Sequence, residues 1–315
     1  MNKRKLGKSG LEIAPLVFGG NVFGWTIDEA ASFKLLDAFV ARGFDCIDTA
    51  DVYSVWVPGH AGGESETVIG KWMKQRGNRG RVIIATKVGW EMSKDKKGLS
   101  KAYILRAVED SLRRLQTDTI DLYQSHKDDA ETPVDETLAA YDALVKAGKV
   151  RAIGASNFGA ERLAESLKAS DAHGWPRYQS LQPHYNLMER TEYERNLEPL
   201  CLREGLGVIT YFSLAAGFLT GKYRSEADLG KSPRGGGIKK YLNERGMRVL
   251  AALDAVAARR DSPAAAVALA WLLARPSVTA PIVSATSMEQ LNTIISAVDL
   301  KLDADDIAEL DQASA

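Results

Sequence analysis

Cysteine is scarce in this chain: only Cys46 and Cys201 occur in 315 residues, and they match no CxxC or metal-binding spacing. That excludes a disulfide framework and predicts two buried, reduced thiols in a reducing compartment. Neither sign of charge is in excess. Lys+Arg and Asp+Glu each number 41, so no global field selects nucleic acid or an anionic membrane as partner. Long hydrophobic runs are also missing. The most apolar stretch, "AAAVALAWLLA" at 264–274 between Pro263 and Pro276, is too short to span a bilayer and suits a buried helix starting at a proline. The basic start "MNKRKLGKSG" leads into no apolar segment, so it does not read as a signal peptide, and a cytoplasmic location is expected. His60, His126, His173 and His184 show no HxH or HExxH spacing, and no metal site is expected. No low-complexity linker interrupts residues 1–315, which read as one domain.

What the chain does contain is alternation. Short β-rich runs at 16–20, 45–50, 81–87, 119–126, 150–157, 178–182, 207–213 and 278–284 are each followed by a stretch with helical character. The runs are mostly apolar, as parallel strands buried on both faces should be. Eight such units in about 300 residues predict an α/β fold, a closed (β/α)8 barrel of the TIM type. A doubly wound open sheet is the alternative, but no GxGxxG follows the first run to form a dinucleotide-binding turn. Residues 3–14, alternating around Ser9-Gly10, predict a small β-hairpin ahead of the barrel. Additional helices are expected after the seventh strand and at the C-terminus. The polar, glycine-rich segment 223–241 lacks a clear helical period and reads as a mobile loop able to close over a ligand.

In such barrels chemistry sits where the strands end. The second run ends at Asp48, with Tyr53 shortly after; the third ends at Lys87 and the fourth at His126. Three neighbouring strands thus present a carboxylate with a phenol, an ammonium and an imidazole. Each alone has a plain structural explanation, as a turn cap, a surface tyrosine or a core histidine. Lys87 is the hardest to explain so, because a lysine ending a buried apolar strand requires a carboxylate or a wet cavity.

In the same order along the chain, "FDCIDTADVYS…GESETVIGKWM", "IATKVG", "DLYQSHKDD", "IGASNF" and "FLTGKY" resemble the aldo-keto reductases over nearly the whole length. The resemblance implies a nicotinamide-dependent carbonyl reductase and carries the family tetrad to Asp48, Tyr53, Lys87 and His126. Carbonyl reduction needs a hydride and a proton for the developing alkoxide. Tyr53 is the expected proton donor, with Lys87 favouring phenolate over phenol, Asp48 holding Lys87, and His126 positioning the substrate oxygen.

For the cofactor, the resemblance implies contacts from Gly20, Asn21 and Asp48, from the amide and hydroxyl of Ser156, Asn157 and Gln182 (Gln179 being the less favoured glutamine), and stacking on Tyr211. Phe212, Leu214, Gly217, Leu219 and Lys222 fall in the pyrophosphate segment, where Ser213 replaces the usual proline, a change expected to loosen the turn. NADP(H) is the expected cofactor and NAD(H) the other candidate. Ser284, Thr286 and Gln290, aided by Arg234, would hold the adenosine phosphate, although the family often has Lys or Arg at the first three and Asn where Ile294 stands. Trp25, Trp56, Trp90 and Lys127 are the expected pocket walls. Lys127 stands where a bulky aromatic is common and suggests polar carbonyl or alcohol substrates such as sugars or hydroxyaldehydes. The oligomeric state is not legible. Two other chemistries compete: Schiff-base formation at Lys87, and a nicotinamide-binding regulatory subunit with little turnover, since potassium-channel β subunits also resemble this family.

Overall fold

The computed structural model describes residues 2–232 and 235–315. Two short strands, β1 (Arg4–Lys5) and β2 (Glu12–Ile13), form the predicted antiparallel hairpin. Eight parallel strands then close into a barrel: β3 (Val17–Gly19), β4 (Cys46–Asp48), β5 (Ile83–Val88), β6 (Ile120–Ser125), β7 (Val150–Ser156), β8 (Tyr178–Gln182), β9 (Gly207–Thr210) and β10 (Ala280–Val283), the last pairing with both β9 and β3.

The two faces of each strand enter different cores. Val17, Cys46, Ala85, Leu122, Ala152, Ile209 and Ala280 fill the barrel interior with Leu6, Leu11 and Ile13 of the hairpin. The alternate residues, such as Phe18, Ile47, Ile84 and Tyr123, pack outward against the helices. The hairpin therefore plugs the floor of the barrel. Gly7 there has φ +58°, and a Cβ on it would stand 2.1 Å from the Gln179 carbonyl oxygen, so only glycine allows this approach. Gln179 belongs to that floor as well, its Oε1 accepting the Lys8 N–H at 3.1 Å, far from the strand ends.

Helices α1 (Glu29–Ala41), α2 (Glu64–Arg76), α3 (Lys101–Leu115), α4 (Val134–Lys146), α5 (Ala160–His173) and α6 (Glu198–Glu204) follow successive strands. Their starts are often set by side-chain caps, as where Asp28 accepts from the Ala31 N–H and Ser100 from the Tyr103 N–H. The extra helices expected after the seventh barrel strand are α7 (Glu244–Arg259) and α8 (Ala264–Leu273). The second begins after Pro263 and is buried from Ala265 to Leu272 on all sides, as its unbroken apolar sequence requires. Helix α9 (Met288–Ser296) follows β10, and α10 (Ala304–Ser314) ends the fold.

Segment 223–241 differs from the expected irregular loop. Its described residues form 3₁₀ turns at Glu226–Lys231 and Gly235–Tyr241. A reciprocal Ser225–Asp228 cap starts the first, and Tyr223, Ile238 and Tyr241 anchor the segment in the core. Three widely spaced apolar anchors give no helical period, so pattern reading passes over them. Among the described residues no helix is long and apolar enough to cross a membrane.

Candidate active site

Period-two alternation carries each interior column upward from an apolar floor to a polar rim. Cys46 is followed on its own face by Asp48, Ala85 by Lys87, Leu122 by Gln124, and Ala152 by Gly154 and then Ser156. Strand register brings these ends level, since Gly19 is opposite Asp48 and Lys87 is opposite Gln124.

Lys87 is fully buried and its ammonium has three protons to donate. Three acceptors meet it: Asp48 Oδ2 at 2.6 Å, the Thr49 carbonyl oxygen at 2.8 Å and the Tyr53 hydroxyl oxygen at 3.2 Å. Burial alone lowers the Lys87 pKa, but the Asp48 carboxylate and Tyr53 outweigh it and leave the group above its ordinary value. Lys87 is therefore a permanent cation. Because the ammonium donates to the Tyr53 oxygen, the phenolic proton remains directed elsewhere. The Tyr53 carbonyl accepts from the Gly63 and Ser65 N–H groups at 2.9 and 3.3 Å, which ties this half-buried residue to the start of α2.

The other oxygen of Asp48 accepts from Gln182 Nε2 at 2.9 Å and Gln124 Nε2 at 3.3 Å. Gln124 was not among the candidates from sequence. A glutamine on the inward face of an otherwise apolar strand, two residues before His126, was the available signal. Gly154 makes room for this network, because a Cβ there would stand 3.1 Å from Gln124 Cγ and 2.4 Å from Ser180 Oγ.

His126 lies beside Tyr53, their ring centroids 5.8 Å apart. Burial, Lys87 and Lys127 hold its pKa well below the usual imidazole range, so it is neutral at pH 7. Its Nδ1 is buried without a hydrogen-bond partner. Around the phenol and imidazole stand the expected walls. Trp56 is 5.7 Å from the Tyr53 ring and 5.4 Å from half-buried Trp25, and Trp90 is 5.1 Å from His126 with the Lys127 ammonium 5.4 Å from its ring. Four large apolar side chains are exposed among the described residues, and three of them, Trp56, Trp90 and Phe212, surround this mouth. Apolar surface gathered in one cleft marks a ligand site.

Across the mouth, Ser156 Oγ donates to the Gln182 carbonyl at 2.9 Å, and Asn157 Nδ2 donates to the His126 carbonyl at 2.9 Å. Asn157, at φ +54°, accepts the Tyr211 hydroxyl at 2.7 Å, and the Tyr211 ring stacks on His184 with centroids 5.1 Å apart. Beyond Tyr211 the backbone is left-handed at Phe212 (φ +50°), Ala215 (+48°), Ala216 (+56°) and Gly217 (+105°). Such non-glycine residues cost about 1–3 kcal/mol each and cluster where a backbone is shaped for a ligand. Ser213 stands in this turn where the proline was expected. It is buried, its hydroxyl donating to the Thr210 carbonyl at 3.0 Å, which tethers the turn to the end of β9.

The remaining candidates divide. Leu214 is half-buried, whereas the Leu219 side chain is fully enclosed in the core, leaving only its backbone for a ligand. Lys222 is exposed with its ammonium 5.1 Å from the Tyr223 ring. Ser284 Oγ lies 2.7 Å from both the Gly19 carbonyl and Asn21 Oδ1, which links the ends of β10 and β3. Gly20 accepts from Ser65 Oγ at 2.7 Å. Gln290 folds back to accept from the Thr286 N–H and hydroxyl at the start of α9. Arg234 lies outside the described residues.

The remaining two aspartates of the second strand region have no share in this network. Asp45 caps the floor, accepting from the Ala14 N–H at 2.9 Å and pairing with Lys3 at 2.7 Å. Asp51 is buried with neither carboxylate oxygen hydrogen-bonded, and burial, followed by the charge of Glu66, pushes its pKa well above the ordinary value.

The closed parallel barrel thus carries a carboxylate, a phenol, an ammonium and an imidazole at three adjacent strand ends. The family model for the Aldo/keto reductase family matches residues 15–315, and the chain belongs to that family. It is 37% identical to an uncharacterized oxidoreductase, YrpG, of Bacillus subtilis over 306 residues, covering 95% of this chain and 91% of that protein. It is 30% identical to versiconal hemiacetal acetate reductase of Aspergillus parasiticus (99% and 96% covered). It is also 31% identical to a probable voltage-gated potassium channel subunit beta of Arabidopsis thaliana (95% and 92% covered). The chain is thus an aldo-keto reductase-family oxidoreductase.

Proposed function

We propose that this protein is an NADP(H)-dependent reductase of aldehydes and ketones, working reversibly on small carbonyl compounds with polar substituents. The observation that carries this reading is the exhausted donor capacity of Lys87. All three of its N–H groups are committed, one of them to the Tyr53 oxygen beside His126, so the phenol stands against a fixed cation that favours release of its proton to a substrate.

The rim suits a nicotinamide dinucleotide. Amide and hydroxyl side chains of Ser156, Asn157 and Gln182 match a carboxamide, Tyr211 offers an aromatic face, and the left-handed backbone at 212–217 lets N–H groups approach phosphate. When bound, the nicotinamide supplies the hydride. The protein's own groups do the rest. Tyr53 gives its proton to the carbonyl oxygen, and the buried Lys87 cation stabilises the phenolate that remains. Asp48 keeps Lys87 charged and in place, while Gln124 and Gln182 hold Asp48. His126, neutral because its charge is opposed by burial and two lysines, can offer an N–H to the substrate oxygen without competing as an acid. In the oxidation direction the Tyr53 phenolate takes the proton back.

For the adenosine end, Ser284, Thr286 and Gln290 at the start of α9 offer hydroxyls, amides and a helix N-terminus to the extra phosphate. The decisive measurement is nicotinamide absorbance at 340 nm across a panel of aldehydes, ketones, sugars and alcohols with both cofactors. Turnover with free aldehydes and a tighter Kd for NADPH than NADH is expected. Equal or tighter binding of NADH would overturn the cofactor assignment. The potassium-channel relative supports a second reading, a redox-sensing subunit, and tight cofactor retention with negligible turnover across the panel would favour it.

A further inference from the structure

Lys127 stands out at the mouth. Of the acidic residues that follow it, Asp128 and Asp129 hold other hydrogen-bond partners, although the Lys127 charge also acts on Asp129. Asp128 pairs with Arg162 at 3.0 Å. Asp129 accepts from the Leu99 N–H at 2.8 Å, the Thr132 hydroxyl at 2.7 Å and the Glu131 N–H at 3.2 Å. Across the cleft, Glu91 faces Lys97 at 3.7 Å. The Lys127 ammonium itself makes no ion pair among the described residues and rests on the face of Trp90, 5.4 Å from the ring centroid. A contact of that kind on an exposed ring is weak and leaves the ammonium able to donate to an incoming anion.

The position is as telling as the charge. Trp90 is in contact with Lys127 on one side and with His126, 5.1 Å away, on another, so the unpaired cation sits one indole ring from the reacting end of the cleft. Its field reaches that far, because Lys127 is one of the charges that suppress protonation of His126. The ring between the two is Trp90, 42% exposed, while Trp56, 46% exposed, stands beside Tyr53. A molecule whose carbonyl meets Tyr53 and His126 would lay its body on indole and end beside an ammonium.

We propose that Lys127 selects substrates by charge: the site takes carbonyl compounds that carry a carboxylate at the far end of an apolar or aromatic body. This rests on the reductase reading above and adds the substrate class to it. The carboxylate replaces water at the Lys127 ammonium and forms a charge-assisted hydrogen bond there, while the carbonyl end is handled as for any aldehyde.

The test compares 4-carboxybenzaldehyde with 4-methylbenzaldehyde, which have the same reacting group and nearly the same shape. In the wild-type protein with NADPH the ratio of kcat/KM should favour the carboxylate. In Lys127→Met the ratio should fall about tenfold, the loss of one charge-assisted contact, and Lys127→Arg should restore most of it. Added NaCl should compress the wild-type ratio and leave the Lys127→Met ratio unmoved. An unchanged ratio in Lys127→Met, or an equal fall for both compounds, overturns the proposal. Calorimetric titration of the NADP⁺-saturated protein with each compound gives a readout that needs no turnover. If neither aldehyde is reduced yet 4-carboxybenzaldehyde binds in a Lys127-dependent way, the reductase reading fails and the charge selection stands. If both are reduced but bind equally with and without Lys127, the reverse holds.

Discussion

Asp48 and Asp51 are three residues apart, and both lie almost wholly out of water, yet they meet opposite surroundings. The barrel mouth gives Asp48 an ammonium and two amide donors, so both its oxygens are satisfied. The layer where α2 and α3 cover the strands gives the Asp51 carboxylate no side-chain partner and places a second carboxylate, Glu66, among the charges acting on it. Arg114 is the natural partner there, but it is committed to Glu66 at 2.7 Å, and Thr86 donates to the other oxygen of Glu66. One cluster is thus a finished ion pair that sustains a charge beside Tyr53. The other contains a finished pair and a leftover carboxyl whose ionisation is opposed by burial and then by Glu66. A buried acidic side chain is functional according to what faces it, and burial alone says little.

The largest way to break the mouth is to remove its proton. Tyr53→Phe should lower kcat about a hundred- to ten-thousand-fold in steady-state assays, while fluorescence titration still reports cofactor binding; near-normal turnover would remove Tyr53 from the chemistry. Lys87→Met makes the mouth resemble the outer layer, since Asp48 loses its cation and keeps only two amides. Denaturant unfolding should show a loss of about 3 kcal/mol, and an unchanged midpoint would mean the pair contributes nothing. Arg114→Met does the same to the outer layer by stranding Glu66. Because Arg114 is partly exposed, the expected loss is smaller, about 2 kcal/mol, read by the same measurement.

The smallest effect should have the opposite sign. In the unfolded chain Asp51 ionises near pH 3.9, about its ordinary value. In the folded chain its pKa is raised well above that, first by burial and then by Glu66. Between the two values only the unfolded chain has released its proton, so each rise in pH favours unfolding. Asp51→Asn removes that penalty and should raise stability at pH 7 by on the order of 1 kcal/mol, with a smaller gain at pH 4. Thermal melts across this range check the trend. A variant equally or more stabilised at pH 4 would show that Asp51 is ionised in the folded state.

Much of the rim was legible because a strand has a period of two. Once 45–50, 81–87 and 119–126 are recognised as strands, Asp48, Lys87 and His126 fall at their ends. The hairpin around Ser9-Gly10 and the buried helix after Pro263 were equally local. Gln124 was passed over because it looks like any polar residue until strand register sets it opposite Lys87. The segment 223–241 reads as irregular because its buried anchors Tyr223, Ile238 and Tyr241 are too widely spaced to show a period.

The sequence by itself determined the order of strands and helices, the side of each strand that faces the barrel interior, and the four chemical groups at its mouth. These follow from periodicity and residue type, which act over a few positions. Only the tertiary structure decided how closely Asp48 meets the ammonium and what the two flanking aspartates meet instead. Lys87 is 39 residues from Asp48, and their 2.6 Å contact exists because parallel register sets the two strand ends side by side inside the barrel. Asp51 lies beyond the strand, where the chain has turned outward toward α2 and α3 and another pair already holds the available arginine.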